Sequence, residues 1–174
     1  MRWNIRLIVA CAVGASLELA SRTAHAEDIS GVIARTLMLV ENSRLVDNVT
    51  CTVTAAPCIA FAVPGIELRL NGFTITGQAD PNTGCGGTVT QGEMGISSNG
   101  QRDVEIRGPG VVQRFRADGV FFIASVGGRV EGVMTTTNCQ SGIRVNPTSS
   151  RVRVEGNISV RNGASAAGFA CGGI

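Results

Sequence analysis

Short stretches in which apolar and polar residues alternate, set apart by glycine, recur through the middle of the chain. Ile66-Glu67-Leu68-Arg69-Leu70, Val104-Glu105-Ile106 and Val152-Arg153-Val154 each alternate strictly. A period of two sends one set of side chains inward and the other to solvent, as in a strand covered on one face. Two markers carry this pattern along the chain. Gly95-Ile96, Gly119-Val120 and Gly142-Ile143 lie 24 and 23 residues apart. Ile106-Arg107-Gly108, Val130-Glu131-Gly132 and Val154-Glu155-Gly156 recur at intervals of 24, and Leu70-Asn71-Gly72 is an earlier copy. Two markers that keep one period predict a solenoid, in which each repeat is a coil stacked on the last.

Stacking at this period places equivalent residues roughly 4.8 Å apart up the ladder. One outward row then reads Arg69, Glu105, Arg129, Arg153, and the next Asn71, Arg107, Glu131, Glu155. Opposite charges meet at Arg69–Glu105, Glu105–Arg129 and Arg107–Glu131. Exposed pairs of this kind set register more than they add stability. Residues 27–57 are expected to supply an N-terminal cap and the first strands, with Ile29, Val32 and Ile33 on a short amphipathic helix over the open end. Residues 78–93 read as an inserted loop, polar and rich in glycine and proline. Loops on a rigid scaffold are where function tends to sit, so Asp80 and Asn82 are candidate binding residues. At the other end Gly168-Phe169 or Gly173-Ile174 opens a further coil, and the expectation is a truncated version of a longer solenoid.

Composition changes the picture through the N-terminus. Arg2 and Arg6, the apolar run from Leu7 to Ala15 and the Ala24-His25-Ala26 site read as a secretory signal peptide over residues 1–26. The mature chain is then one domain, 27–174, secreted or periplasmic, with no membrane span. Cleavage removes three arginines and one glutamate, leaving acids and bases equal in number and no basic surface for nucleic acid. Trp3 and His25, the sole residues of their kinds, leave as well, and the chain has no lysine or tyrosine. Ser-His-Asp and Cys-His catalysis, Schiff bases and imidazole metal sites are thereby excluded. No cofactor and no metal is expected, and Met38, Met94 and Met134 read as core.

Five cysteines remain in an exported chain, where disulfides are the first reading. Cys51 and Cys58 flank a turn and form the easiest pair. Cys139 and Cys171 precede matching Gly-Ile markers, which would stack them within bridging reach. Cys85 is left unpaired.

Leu68-Arg69-Leu70-Asn71-Gly72-Phe73-Thr74-Ile75-Thr76-Gly77, with Gly95-Ile96, Val104 to Gly108 and Arg161-Asn162-Gly163, resembles exported right-handed parallel β-helix repeat proteins. These form the broad pectin-lyase-like group, which includes NosD-type periplasmic proteins. The resemblance spans about Leu45 to Ile174. It implies an all-β fold, a right-handed parallel β-helix of about four to five coils, with an N-terminal cap and an open or truncated C-terminal end.

The enzymes of that group imply what to seek. Lyases use acidic calcium ligands and a basic residue on one sheet. Here the outward positions after each Gly-Ile marker are Ser97, Phe121 and Arg144, with Asp118 just before one strand. Phe121 and Arg144 are therefore candidate binding residues, with Arg144 the one candidate base. Hydrolases use paired carboxylates, and Glu131 and Glu155 would stack near the spacing of a retaining pair. Asp118, Glu131, Arg144 and Glu155 are thus the catalytic candidates, although flanking arginines favour a neutralised surface ladder. The leading expectation is an exported scaffold, structural or binding a polysaccharide or cell-surface glycan without catalysis. The alternative is a polysaccharide lyase or glycoside hydrolase, or a fragment of one.

Overall fold

The computed structural model describes residues 26–80, 85, 92–163 and 173–174. The signal segment, Asn82, Cys171 and Gly168-Phe169 lie outside the described residues. Within them the chain forms strands and no helix: β1 (Glu27–Ile33), β2 (Leu37–Leu39), β3 (Ser43–Cys51), β4 (Ile59–Phe61), β5 (Glu67–Arg69), β6 (Thr74–Thr76), β7 (Ile96–Asn99), β8 (Glu105–Gln113), β9 (Val120–Ile123), β10 (Arg129–Thr136), β11 (Ile143–Val145), β12 (Arg153–Glu155) and β13 (Ile158–Val160). They make two sheets. The first runs β1-β3-β5-β8-β10-β12, with β6 pairing β3 and β8, and β13 pairing β10; the second runs β11-β9-β7-β4-β2. Every pairing is parallel. Two parallel sheets visited in turn are compatible with a β-solenoid.

The alternating residues behave as the pattern requires. Leu68, Ile106, Val130 and Val154 are successive partners in the first sheet, and the first three are buried. Ile59, Ile96, Val120 and Ile143 form the matching column of the second sheet, all buried. The Gly-Ile marker recurs because its glycine sits where neighbouring chains nearly touch. A Cβ added to Gly119 would lie 2.7 Å from the Gly142 carbonyl oxygen. The last described residues extend the series, since Gly142 and Ile143 both donate backbone N–H groups to the carbonyl of Gly173.

Three expectations need correction. The segment holding Ile29, Val32 and Ile33 is β1, a strand rather than a helix. Ile29 and Ile33 are buried on one face of the strand with Gly31 between them, and Val32 faces solvent. A spacing of four puts residues on one face in a strand as well as in a helix. The charge rows also differ. Leu68, not Leu70, stands beside Ile106, so Arg69 stacks on Arg107 and Glu67 on Glu105. Arg69 therefore meets Glu67 at 3.0 Å, not Glu105. Leu70 remains fully buried, packed where Gly110 has no side chain.

The third correction concerns the cysteines. Cys51 and Cys58 are bonded, with Cα atoms 5.9 Å apart. Cys139 bonds to Cys85, Cα atoms 5.4 Å apart, so Cys85 is not unpaired and the Cys139–Cys171 bridge does not form. Strand register placed Cys139 in the ladder but said nothing of where Cys85, within the inserted loop, would lie. Ala79, Cys85 and Cys139 make a small buried cluster of their own beside the main core.

Candidate binding groove

The outward face of the second sheet carries one file of side chains: Met38, Ala60, Ser97, Phe121 and Arg144, consecutive partners in β2, β4, β7, β9 and β11. Small residues at Ala60 and Ser97 leave a trough between bulkier neighbours. The resulting groove holds about 620 Å³, with Met38, Met94, Phe121 and Ile123 supplying apolar surface and Asn99 and Gln101 amide groups. Met38 and Met94 therefore line an outer groove rather than the core. Alternation within Leu37-Met38-Leu39 could have shown this for Met38, because Leu39 is fully buried and Met38 half exposed. Phe122 points the other way and is wholly buried.

At one margin the predicted residues Asp118, Phe121 and Arg144 come together. The Arg144 guanidinium lies over the Phe121 ring, 4.9 Å from its centroid, a cation–π contact. One of its nitrogens donates to Asp118 Oδ2 at 3.4 Å. The other Asp118 oxygen accepts the Ser141 backbone N–H at 2.9 Å. Asp118 is 1% exposed. Burial raises its pKa above the ordinary aspartate value, opposed by the Ser141 hydrogen bond and the Arg144 charge. With both oxygens engaged beneath the surface, Asp118 holds the Arg144 guanidinium in place.

Glu131 and Glu155 lie elsewhere, as partners on the outer face of the first sheet. A single Arg129 nitrogen meets both, at 3.1 Å and 3.0 Å. Arg107 stands beside Glu131 on the neighbouring strand, as expected, while its guanidinium meets Glu105 and Glu67 at 2.8 Å and 2.9 Å. The arrangement is a neutralised ladder, and its two glutamates lie on a different sheet from Asp118 and Arg144. Asp80 sits where the inserted loop leaves β6, its carbonyl accepting the Cys85 N–H at 3.2 Å.

No family model matches the chain, and neither the curated proteins nor the solved structures yield a match.

Two features escaped the sequence reading. At the loop's other end Glu93, 4% exposed, meets Arg116 at 3.3 Å, joining the loop base to the turn after β8. Asn138 and Asn162 form a carboxamide ladder. Asn138 Oδ1 accepts the Phe115 N–H at 3.1 Å, and Asn162 Oδ1 accepts the Asn138 N–H at 3.0 Å. Their spacing of 24 was the available signal. Among the described residues no group of three His, Cys, Asp or Glu side chains could hold a metal ion, and no helix is long and apolar enough to cross a membrane.

Proposed function

We propose that the protein is an exported right-handed parallel β-helix of about four to five coils, akin to the pectin-lyase-like and NosD-type proteins. It acts as a scaffold that binds carbohydrate or a glycan-bearing surface without turning it over. The observation that carries this reading is the open groove on the second sheet. A sugar ring offers an apolar C–H face and a rim of hydroxyls. Met38, Ala60 and Phe121 suit the face, and the amides of Asn99 and Gln101 suit the rim. Export is supported by the N-terminal pattern and by two disulfides, which fit an oxidising compartment.

The test pairs a glycan-binding panel with assays for reducing ends and unsaturated products. Saturable binding without product is expected, and Ala60→Trp, which fills the trough at a partly exposed position, should abolish it. Binding indifferent to that substitution would sink the reading. The second reading, a polysaccharide-active enzyme or a fragment of one, rests on Asp118, a buried carboxyl with a raised pKa beside the groove. Turnover that disappears in Asp118→Asn would establish it in place of the first.

A further inference from the structure

A second groove lies on a corner of the first sheet, away from the glycan trough. Asp103, Gly127 and Arg151 occupy one corner position on successive rungs, as the bridges Arg102–Val126 and Val126–Ser150 beside them show. All three have positive φ, at 53°, 75° and 55°. The middle rung has no side chain, and a Cβ there would strike the Asp103 carboxylate. The Asp103 carboxylate lies over that glycine, in a hollow of about 650 Å³ that Glu105, Arg129, Arg151 and Arg153 also line.

The charges in this hollow are unequally satisfied. Glu105 is held by two nitrogens of Arg107, at 2.9 Å and 2.8 Å. Arg44, Arg69, Arg107, Arg116, Arg129 and Arg144 each meet a carboxylate. Arg151 and Arg153 meet none among the described residues, and both are exposed. Arg153 stacks directly on Arg129, a like-charge contact one strand apart. Arg129 spends its terminal nitrogen on Glu131 and Glu155, yet its Nε is buried without a hydrogen-bond partner. Buried donors of this kind ordinarily find an acceptor. Two unpaired guanidinium forks and one orphaned N–H on one wall call for an anion with several acceptor oxygens.

We propose that this corner groove binds a sulfate or phosphate ester group, held by Arg151, Arg153 and the Nε of Arg129. A tetrahedral oxyanion offers an oxygen to each donor and relieves the Arg129–Arg153 repulsion. The Asp103 carboxylate over Gly127 repels the anion and so limits it to the rung of Arg151 and Arg153. The ester is carried on a polysaccharide, so a charged chain would engage this corner independently of the trough on the second sheet.

The test titrates the mature protein with inorganic sulfate, a sulfated oligosaccharide and its unsulfated counterpart, by calorimetry and amide chemical shifts. Saturable binding of the sulfated oligosaccharide, displaced by inorganic sulfate, is expected. Arg151→Gln and Arg153→Gln should each weaken it about tenfold, the scale of one lost charge-assisted hydrogen bond. Asp103→Asn should tighten it, and Ala60→Trp should leave it unchanged, which separates this site from the trough. Equal weakening by Arg35→Gln, an exposed arginine outside the groove, would reduce the effect to overall charge and overturn the proposal. Equal binding of the unsulfated oligosaccharide, or inorganic sulfate binding as tightly as the sulfated oligosaccharide, would overturn the polymer-borne ester as ligand.

Discussion

Asn138 shows how much one side chain carries in a stack of short strands. Its carboxamide accepts from Phe115 and donates to the Val112 carbonyl at 3.2 Å, while itself fully buried. Asn138→Ala leaves both backbone groups unsatisfied away from water, and a loss of about 2–4 kcal/mol is expected in denaturant unfolding. Asn162→Ala, at a less buried rung, should cost less. Asp118 makes a different prediction. Because burial raises its folded pKa above the unfolded value, the folded state holds more protons between the two, and stability falls as pH rises through that interval. The penalty is absent below the ordinary aspartate pKa of about 3.9 and complete above the raised one. Melting temperatures of Asp118→Asn should therefore decline less than wild type across that interval. At this scale alternation identified Phe121 and Arg144 as outward neighbours correctly. The Asp118–Ser141 hydrogen bond was not legible, because it joins a side chain to a backbone group on the next rung.

Among the elements, β10 and its neighbours carry the charge ladder, and β2, β4, β7, β9 and β11 carry the outer groove. Arg129→Ala frees Glu131 and Glu155 to repel one another on adjacent strands. A loss of about 1 kcal/mol is expected, partly restored by adding Glu155→Gln and reduced at high salt. Cys85–Cys139 spans 54 residues and Cys51–Cys58 spans 7. Chain-entropy arguments then give about 4 kcal/mol for the first and about 2.5 kcal/mol for the second. Thermal melts of Cys139→Ser and Cys58→Ser should rank in that order, and the reverse ranking would show that the inserted loop is not anchored through Cys85. The sequence reading took β1 for a helix because a spacing of four suits both periods, and it shifted the β5 row by two residues for another reason. Alternation reports which face a residue takes, but a bulge or a corner changes the count between rungs without disturbing the alternation on either side.

For the molecule as a whole, export predicts a mature species beginning at Glu27. Intact-mass measurement of the secreted protein should find that start, and retention of residues 1–26 would count against a cleaved signal peptide. The chain by itself determined the all-β class, the parallel stacking at a 24-residue interval and the inward column through Ile106, Val130 and Val154. These follow from local chemistry: which residues are apolar, how they alternate, and where glycine permits close approach. Only the tertiary structure decided that Cys85 bonds Cys139, that Arg129 serves both glutamates, and that small side chains at Ala60 and Ser97 open a groove. Each of those depends on which residues become neighbours after the chain has turned several corners, and the loop lengths and bulges that set those neighbours leave no periodic trace.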